Sequence, residues 1–94
     1  MFIERIIIPA YVLNELQWKH HVSEEEVQEL LRGHPKIYFI EKGDIVGENV
    51  YLALGQIESG RYLSVFFIYK KNKDALVISA RDMAKKERRL YEKK

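Results

Sequence analysis

His20, Arg61, Arg81 and Glu87 are the residues of this sequence whose side chains best suit a chemical reaction. Histidine exchanges protons near neutral pH, and arginine binds phosphate through two parallel hydrogen bonds. Cleavage of RNA by its own 2′-hydroxyl needs a base, an acid and cations that offset the charge of the phosphorane. These residue types therefore suit a ribonuclease that works without a metal ion.

Other reaction classes lack their motifs in this sequence. The chain has no cysteine, which excludes a thiolate nucleophile and thiolate metal ligands. The histidines, His20, His21 and His34, form neither H-x-x-x-H nor H-E-x-x-H. No G-x-G-x-x-G, G-x-x-x-x-G-K-[ST] or G-x-S-x-G motif is present. We therefore predict no metal site and no cofactor.

Each candidate residue also has a purely structural interpretation. His20 lies on the apolar side of its predicted helix and could be a hydrogen-bonded core histidine. Arg61 follows a turn glycine and could be a solvated charge. Glu87 falls among the apolar positions of the last predicted helix, where a carboxylate needs a partner, and Arg81 and His20 are the candidates. Residue types alone leave both interpretations open.

The composition is typical of one small globular domain over residues 1–94. Apolar residues make up 47% of the chain and charged residues 32%. Residues 1–80 hold 9 Lys and Arg against 11 Asp and Glu, whereas residues 81–94 hold 7 against 3. This basic end favours an anionic partner, although a solvated basic tail would give the same pattern.

The N-terminal apolar run is too short for a membrane span. It covers residues 6–13 and contains Pro9. Glu4 and Arg5 also interrupt what would be a secretory signal. Together with the lack of cysteine, these features predict a cytoplasmic protein with no membrane partner.

Hydrophobic spacing predicts two helices after an N-terminal strand. The strand covers residues 2–8 and ends at Pro9, which can begin a helix because its missing N–H costs nothing there. Ser23 and Glu26 form the capping box of a second helix. Gly33 suits the end of that helix.

The rest of the chain predicts strands, short turns and a last helix. The strands cover residues 36–41, 49–57, 61–70 and 75–80, and short turns imply antiparallel pairing. The third is apolar on both faces near Phe67, which indicates a central position. A helix over about residues 82–91 has one basic side. The predicted class is α+β: an antiparallel sheet of about four core strands plus the N-terminal strand, packed with two N-terminal helices and a basic C-terminal helix.

Three stretches of the chain resemble the BrnT toxin family. Lys19-His20 followed by V-S-x-E-E-V resembles the family's "K-H-G-V-[ST]-x-E-E" start. L-G-Q and S-G-R-Y-L-x-V follow within residues 54–65. I-S-A-R-D-M and K-E-R-R-L-Y end the match within residues 78–91. The order and spacing agree across most of the chain.

The resemblance implies a fold and a function. BrnT-like proteins have a RelE-like fold and are toxins of type II toxin–antitoxin pairs, acting as ribonucleases that halt translation. It implies a metal-independent endoribonuclease that a cognate antitoxin protein neutralises, and that meets DNA only through that antitoxin. The matching positions are Lys19, His20, Arg61, Arg81, Glu87 and Tyr91.

Chemistry suggests a role for each of these side chains. His20 would be the general acid or base, Arg61 and Arg81 would hold the scissile phosphate, and Glu87 would orient Arg81 or His20. Further side chains would bind or steer RNA, with an affinity that falls as salt rises. These are Lys19, Lys85, Arg88, Arg89 and Tyr91.

Two departures from the family pattern bear on activity. Many members have glycine where this chain has His21, and many have arginine where it has Val50. The missing cation predicts weaker phosphate chemistry. An alternative is therefore a non-catalytic module with a toxin-like fold that binds RNA or an acidic protein segment. A further alternative is a subunit that only forms a hetero-oligomer.

Overall fold

The computed structural model describes residues 1–93 and contains helices on both faces of a five-stranded sheet. Lys94, the last residue of the predicted domain, lies outside the described residues. In chain order the elements are β1 (Ile6–Ile7), α1 (Ala10–His20), α2 (Glu24–Arg32), β2 (Lys36–Glu41), β3 (Asn49–Gln56), β4 (Tyr62–Tyr69), β5 (Ala75–Asp82) and α3 (Lys85–Glu92). The α+β class is confirmed.

The strands lie in the order β1-β5-β4-β3-β2, so β4 is central, as its apolar sequence predicts. β2 to β5 pair antiparallel with their neighbours, and short turns join them. β1 pairs parallel with β5, which makes the sheet mixed. No helix within residues 1–93 has the length and apolar character needed to span a membrane.

β1 is much shorter than the predicted strand over residues 2–8. Ladder pairing is limited to Ile6–Ile7. Upstream, the Arg32 guanidinium donates to the carbonyl oxygens of Ile3, at 2.6 Å, and Glu4, at 3.1 Å. The predicted length is wrong because a side chain from α2 takes acceptors that a longer strand would present to the sheet.

Local sequence sets the start of α2. The Ser23 hydroxyl accepts from the backbone N–H of Glu26 at 3.2 Å, and Glu26 Oε1 accepts from the backbone N–H of Ser23 at 2.9 Å. The predicted capping box is thus confirmed. Val22 and Val27, which flank it, are fully buried.

The main core lies between the sheet and the two N-terminal helices; we call this side of the sheet the α1/α2 face. Leu63, Val65 and Phe67 of β4 are fully buried there. The opposite side, the α3 face, carries the alternate residues of β4. On it Ser64 is fully buried and its hydroxyl donates to Glu87 of α3 at 2.8 Å.

β5 runs further, and α3 begins later, than the sequence predicts. Ser64 pairs with Arg81 and Leu63 pairs with Asp82, so the ladder extends two residues past the predicted end at residue 80. Arg81 and Asp82 are consecutive strand residues, so their side chains lie on opposite faces. Because β5 extends this far, Arg81 and Asp82 belong to opposite sides of the sheet.

Candidate functional site

Two polar clusters occupy the end of the sheet where β4 begins and β5 ends. The Arg61 cluster consists of Arg61, Glu26 and Asp82, with the backbone carbonyls of His20 and His21. The Glu87 cluster lies on the α3 face and consists of Glu87, Arg81 and Ser64. Because Arg81 and Asp82 point to opposite faces, the sheet separates the clusters, and these consecutive residues connect them.

Arg61 binds three elements at once. Its Nε donates to Asp82 Oδ1 at 2.7 Å, and its Nη1 donates to Glu26 Oε1 at 3.1 Å. The carbonyl oxygens of His21 and His20 accept from Nη1 and Nη2, each at 2.7 Å. The hydrogen bond to Asp82 is the main reason that the pKa of Arg61 is raised above its usual value. The fork thus joins the end of α1, the capping box of α2 and the end of β5.

The end of α1 explains why Arg61 is needed there. His21 has the left-handed backbone conformation, with φ at 53°. A helix leaves its last carbonyl oxygens without partners inside the helix, and Arg61 donates to those of His20 and His21. The contact fixes the backbone of His20, whose side chain is half-buried.

Glu87 has four donors around its carboxylate. Oε1 accepts from Arg81 Nη1 at 2.6 Å, from Ser64 Oγ at 2.8 Å and from the backbone N–H of Ala84 at 2.8 Å. Oε2 accepts from Arg81 Nη2 at 2.6 Å. Burial alone would raise the pKa of Glu87, but the hydrogen bonds from Arg81, Ala84 and Ser64 outweigh it, and the pKa is lowered. The predicted need for a partner is met by Arg81.

Arg81 is less fully engaged than Arg61. Its Nη1 also donates to the carbonyl oxygen of Asp82 at 3.2 Å, but among residues 1–93 its Nε and one N–H of Nη2 find no acceptor. Within the same residues Arg61 keeps a single such N–H, on Nη2. Arg81 is therefore the better placed of the two to bind an added anion.

The predicted RNA-binding side chains of α3 form a surface of cations and aromatic rings together with Lys36 of β2 and Tyr62 of β4. The Arg88 guanidinium lies 3.4 Å from the ring centroid of Tyr62. Tyr62 contacts Tyr91 edge to face at 6.0 Å, and Lys36 Nζ lies 5.3 Å from the ring centroid of Tyr91. Lys85 and Arg89 are exposed. On α1, the exposed Lys19 lies 3.7 Å from Glu15.

Several residues of these clusters were missed by the sequence reasoning. The sequence predicts Glu26 only as part of the capping box and Asp82 as the first residue of the last helix. Ser64 carried a usable signal, because a hydroxyl within an apolar central strand needs a partner. Within residues 1–93 no group of three or more His, Asp or Glu side chains is arranged to hold a metal ion.

A comparison with protein families finds a match over most of the chain. A family model described as ribonuclease toxin, BrnT, of type II toxin-antitoxin system matches residues 14–87. The chain belongs to the BrnT toxin family. As a member of this family it is a ribonuclease toxin of a type II toxin–antitoxin system, and such a system implies an antitoxin protein as its partner. A search of curated proteins finds no match.

The BrnT match includes both polar clusters in full. His20, Arg61, Arg81 and Glu87 lie inside residues 14–87. Arg88, Arg89 and Tyr91 lie just beyond its end, in the second half of α3. The BrnT match therefore covers both clusters, whereas much of the basic surface of α3 lies beyond its end.

Proposed function

We propose that this BrnT-family protein is a metal-independent endoribonuclease that cleaves RNA in the cytoplasm and thereby inhibits translation. The main supporting observation is the linkage between the clusters: Arg61 binds the carbonyl of His20 and the carboxylate of Asp82, and Asp82 follows Arg81 in β5. A histidine at a fixed helix end and a partly free guanidinium thus lie at the same end of the sheet but on opposite faces, so the bound RNA must pass around this end to contact both.

In the proposed reaction the 2′-hydroxyl of RNA attacks the adjacent phosphorus. The bond from O2′ to phosphorus forms and the bond to O5′ breaks, which gives a cyclic phosphate and a 5′-hydroxyl. His20 takes the proton of the 2′-hydroxyl or gives one to O5′, and water carries out the other of these two proton transfers. The free N–H groups of Arg81 bind the non-bridging oxygens as negative charge develops.

The remaining site residues act around this centre. Glu87 orients Arg81 through their two hydrogen bonds. Arg61 fixes the backbone of His20 and offers its last N–H to the phosphate. Positive side chains on α1 and α3 draw the RNA in, and the cognate antitoxin neutralises the protein and is its link to DNA. The RNA-attracting side chains are Lys19, Lys85, Arg88 and Arg89, with Tyr91 as an aromatic contact.

A pair of adjacent histidines provides the test. His20→Ala removes the proposed acid or base, whereas His21→Asn changes an exposed neighbour at a left-handed position that asparagine tolerates. Purified variants are incubated with RNA in EDTA. We expect wild type and His21→Asn to cleave equally and His20→Ala to lose about 10²- to 10⁴-fold in rate with unchanged RNA affinity. A wild-type rate in His20→Ala would disprove the role of His20, and cleavage by wild type that occurs with Mg²⁺ but is lost in EDTA would disprove metal independence.

The same variants test the effect on translation in cells. Induced wild type and His21→Asn should stop growth and incorporation of labelled amino acids, while His20→Ala at equal protein level should not. Growth arrest by all three proteins would show that toxicity does not depend on His20.

A non-catalytic binding module is the second candidate, because the charges of the two clusters favour it. The two arginines are matched by three carboxylates, those of Glu26, Asp82 and Glu87. Such neutralisation weakens attraction for a phosphate. RNA binding without cleavage by any of the proteins would select this candidate.

A further inference from the structure

A small cleft lies outside both clusters, where the end of α2, the start of β2, the end of β3 and the end of α3 meet. Its volume is about 190 Å³, and its lining includes Glu29, His34, Gln56 and Tyr91. Gly55 forms part of the lining because α2 packs closely on β3: a Cβ at this position would lie 3.0 Å from Leu30 Cδ1. The cleft is therefore built by the packing of regular elements.

Two side-chain oxygens of the cleft, on Glu29 and Gln56, are acceptors without a protein donor in the described residues. Glu29 Oε2 accepts from the backbone N–H of Glu58, and its Oε1 has no donor in the described part of the chain. Gln56 Nε2 donates to the carbonyl of Gly60 at 3.2 Å, which orients its amide, and among residues 1–93 its Oε1 has no donor. The cleft thus offers two acceptors to an incoming ligand.

The charge of the lining determines which part of a nucleotide can enter the cleft. The Glu29 carboxylate disfavours a phosphate inside it. A cation of β2, Lys36, lies beside the cleft, since its Nζ is 5.3 Å from the ring centroid of Tyr91 in the lining. The acceptors inside the cleft and the cation beside it suit a nucleotide. Its flat neutral base would donate hydrogen bonds inside the cleft, and its phosphate would remain outside.

Two aromatic rings, Tyr62 of β4 and Tyr91 of α3, connect this cleft to the proposed catalytic end. Arg88 lies over Tyr62, Tyr62 contacts Tyr91, and Tyr91 lines the cleft. Alternating rings and cations are the surface along which single-stranded nucleic acid stacks its bases. Single-stranded RNA is therefore the ligand class that the surroundings favour.

We propose that the cleft binds one unpaired guanine of the RNA, whose adjacent N1–H and N2–H groups donate to Glu29 Oε1 and Gln56 Oε1. This proposal rests on the proposed function for the choice of RNA. Uracil presents a single N–H between two carbonyl oxygens, which would face the acceptors of the cleft. Tyr91 and His34 supply rings against which the base lies. Glu29 and Gln56 are then specificity-determining residues that act apart from His20 and Arg81.

The test compares two hexamers in fluorescence anisotropy, all-uridine RNA and the same strand with one central guanosine, both with 2′-O-methyl groups so that the proposed reaction cannot cleave them. Wild type should bind the guanosine strand about tenfold more tightly, as expected for one bidentate base contact. Glu29→Gln keeps an oxygen for the Glu58 N–H but replaces an acceptor in the cleft by an NH₂ donor, so the preference should disappear. Glu25→Gln is the matched control, since it removes the same charge from an exposed position of the same helix and should keep the tenfold preference.

Each outcome bears on one proposal or the other. Equal binding of the two strands by wild type, or equal loss of preference in Glu29→Gln and Glu25→Gln, would overturn the cleft proposal. Gln56→Ala provides a second variant, which should also lose the preference while its melting temperature shows that it is folded. Guanosine preference without RNA cleavage would support the cleft proposal and disprove the proposed ribonuclease activity. RNA cleavage without guanosine preference would support the ribonuclease activity and disprove the cleft proposal.

Discussion

Glu87 accepts two hydrogen bonds of 2.6 Å from the guanidinium of Arg81, and this pair joins the first turn of α3 to the end of β5. At the other end of α3, Lys36 donates to the backbone carbonyls of Tyr91 and Lys93. The residues of α3 are exposed or at most half-buried. Polar contacts at both ends therefore contribute much of what holds this basic helix on the sheet.

Removal of the Glu87 side chain should destabilise the fold. Glu87→Ala leaves the buried hydroxyl of Ser64 and the guanidinium of Arg81 without their acceptor, so we expect the free energy of unfolding to fall by about 2–4 kcal/mol. Urea denaturation followed by circular dichroism measures it. Glu92→Ala is the control, because Glu92 pairs with Arg88 at an exposed i,i+4 position and its loss should cost less than about 0.5 kcal/mol. Similar losses in both variants would contradict the proposed contribution of Glu87 to the free energy of unfolding.

The lowered pKa of Glu87 predicts how this contribution depends on pH. The ionised carboxylate is favoured in the folded protein, so its contribution is complete above the unfolded pKa of about 4.3 and is lost as pH falls through the lower folded value. The difference in free energy of unfolding between wild type and Glu87→Gln should therefore shrink from about pH 6 to about pH 3. Urea midpoints across this range measure it. A constant difference would mean that the charge of Glu87 does not stabilise the fold.

Local chemistry explains which elements could be predicted from the sequence. Ser23 and Glu26 satisfy each other's backbone groups without help from the rest of the fold, so the start of α2 follows from the sequence. The length of β1 depends on Arg32, which reaches it from α2. The boundary between β5 and α3 depends on the length of β4 opposite. Contacts between distant residues set these two boundaries, and hydrophobic spacing does not contain them.

The candidate site shows the same division. A carboxylate among apolar helix positions signals a nearby cation, which is why Arg81 could be predicted, beside His20, as a candidate partner of Glu87. The partners of Arg61 could not be predicted, because the carbonyls of His20 and His21 become available only once α1 ends at a left-handed His21. Neither could the division of Arg81 and Asp82 between two faces, since it follows from the extension of β5.

Arg61→Lys should separate positioning from phosphate binding. Lysine keeps the charge but lacks the planar fork that reaches His20, His21 and Asp82 together. If Arg61 mainly positions His20, we expect kcat for RNA cleavage to fall about tenfold or more, with little change in KM. Arg5→Lys, at an ion pair with Asp74 on another part of the surface, is the control and should leave both constants unchanged. A raised KM with unchanged kcat in Arg61→Lys would instead favour direct phosphate binding.

The basic side of α3 should account for much of the salt dependence of RNA binding. Lys85, Lys86 and Arg89 are exposed, and each phosphate contact to a single strand contributes about 0.7 to the slope of log affinity against log salt. Replacing all three by glutamine should therefore lower that slope by roughly 2, measured by fluorescence anisotropy with a uridine oligomer between about 50 and 200 mM salt.

A matched triple variant controls for net charge in this experiment. Lys42, Lys71 and Lys73 lie in the turns at the opposite end of the sheet, beyond the pairing of Asn49 with Tyr69. Replacing these three by glutamine removes the same charge far from α3 and should leave the slope near its wild-type value. If both triple variants lower the slope equally, RNA senses only the overall charge of the protein, and α3 is not its binding surface. A selective loss in the α3 variant would show that the helix held by Glu87 and Lys36 is also the one that carries RNA.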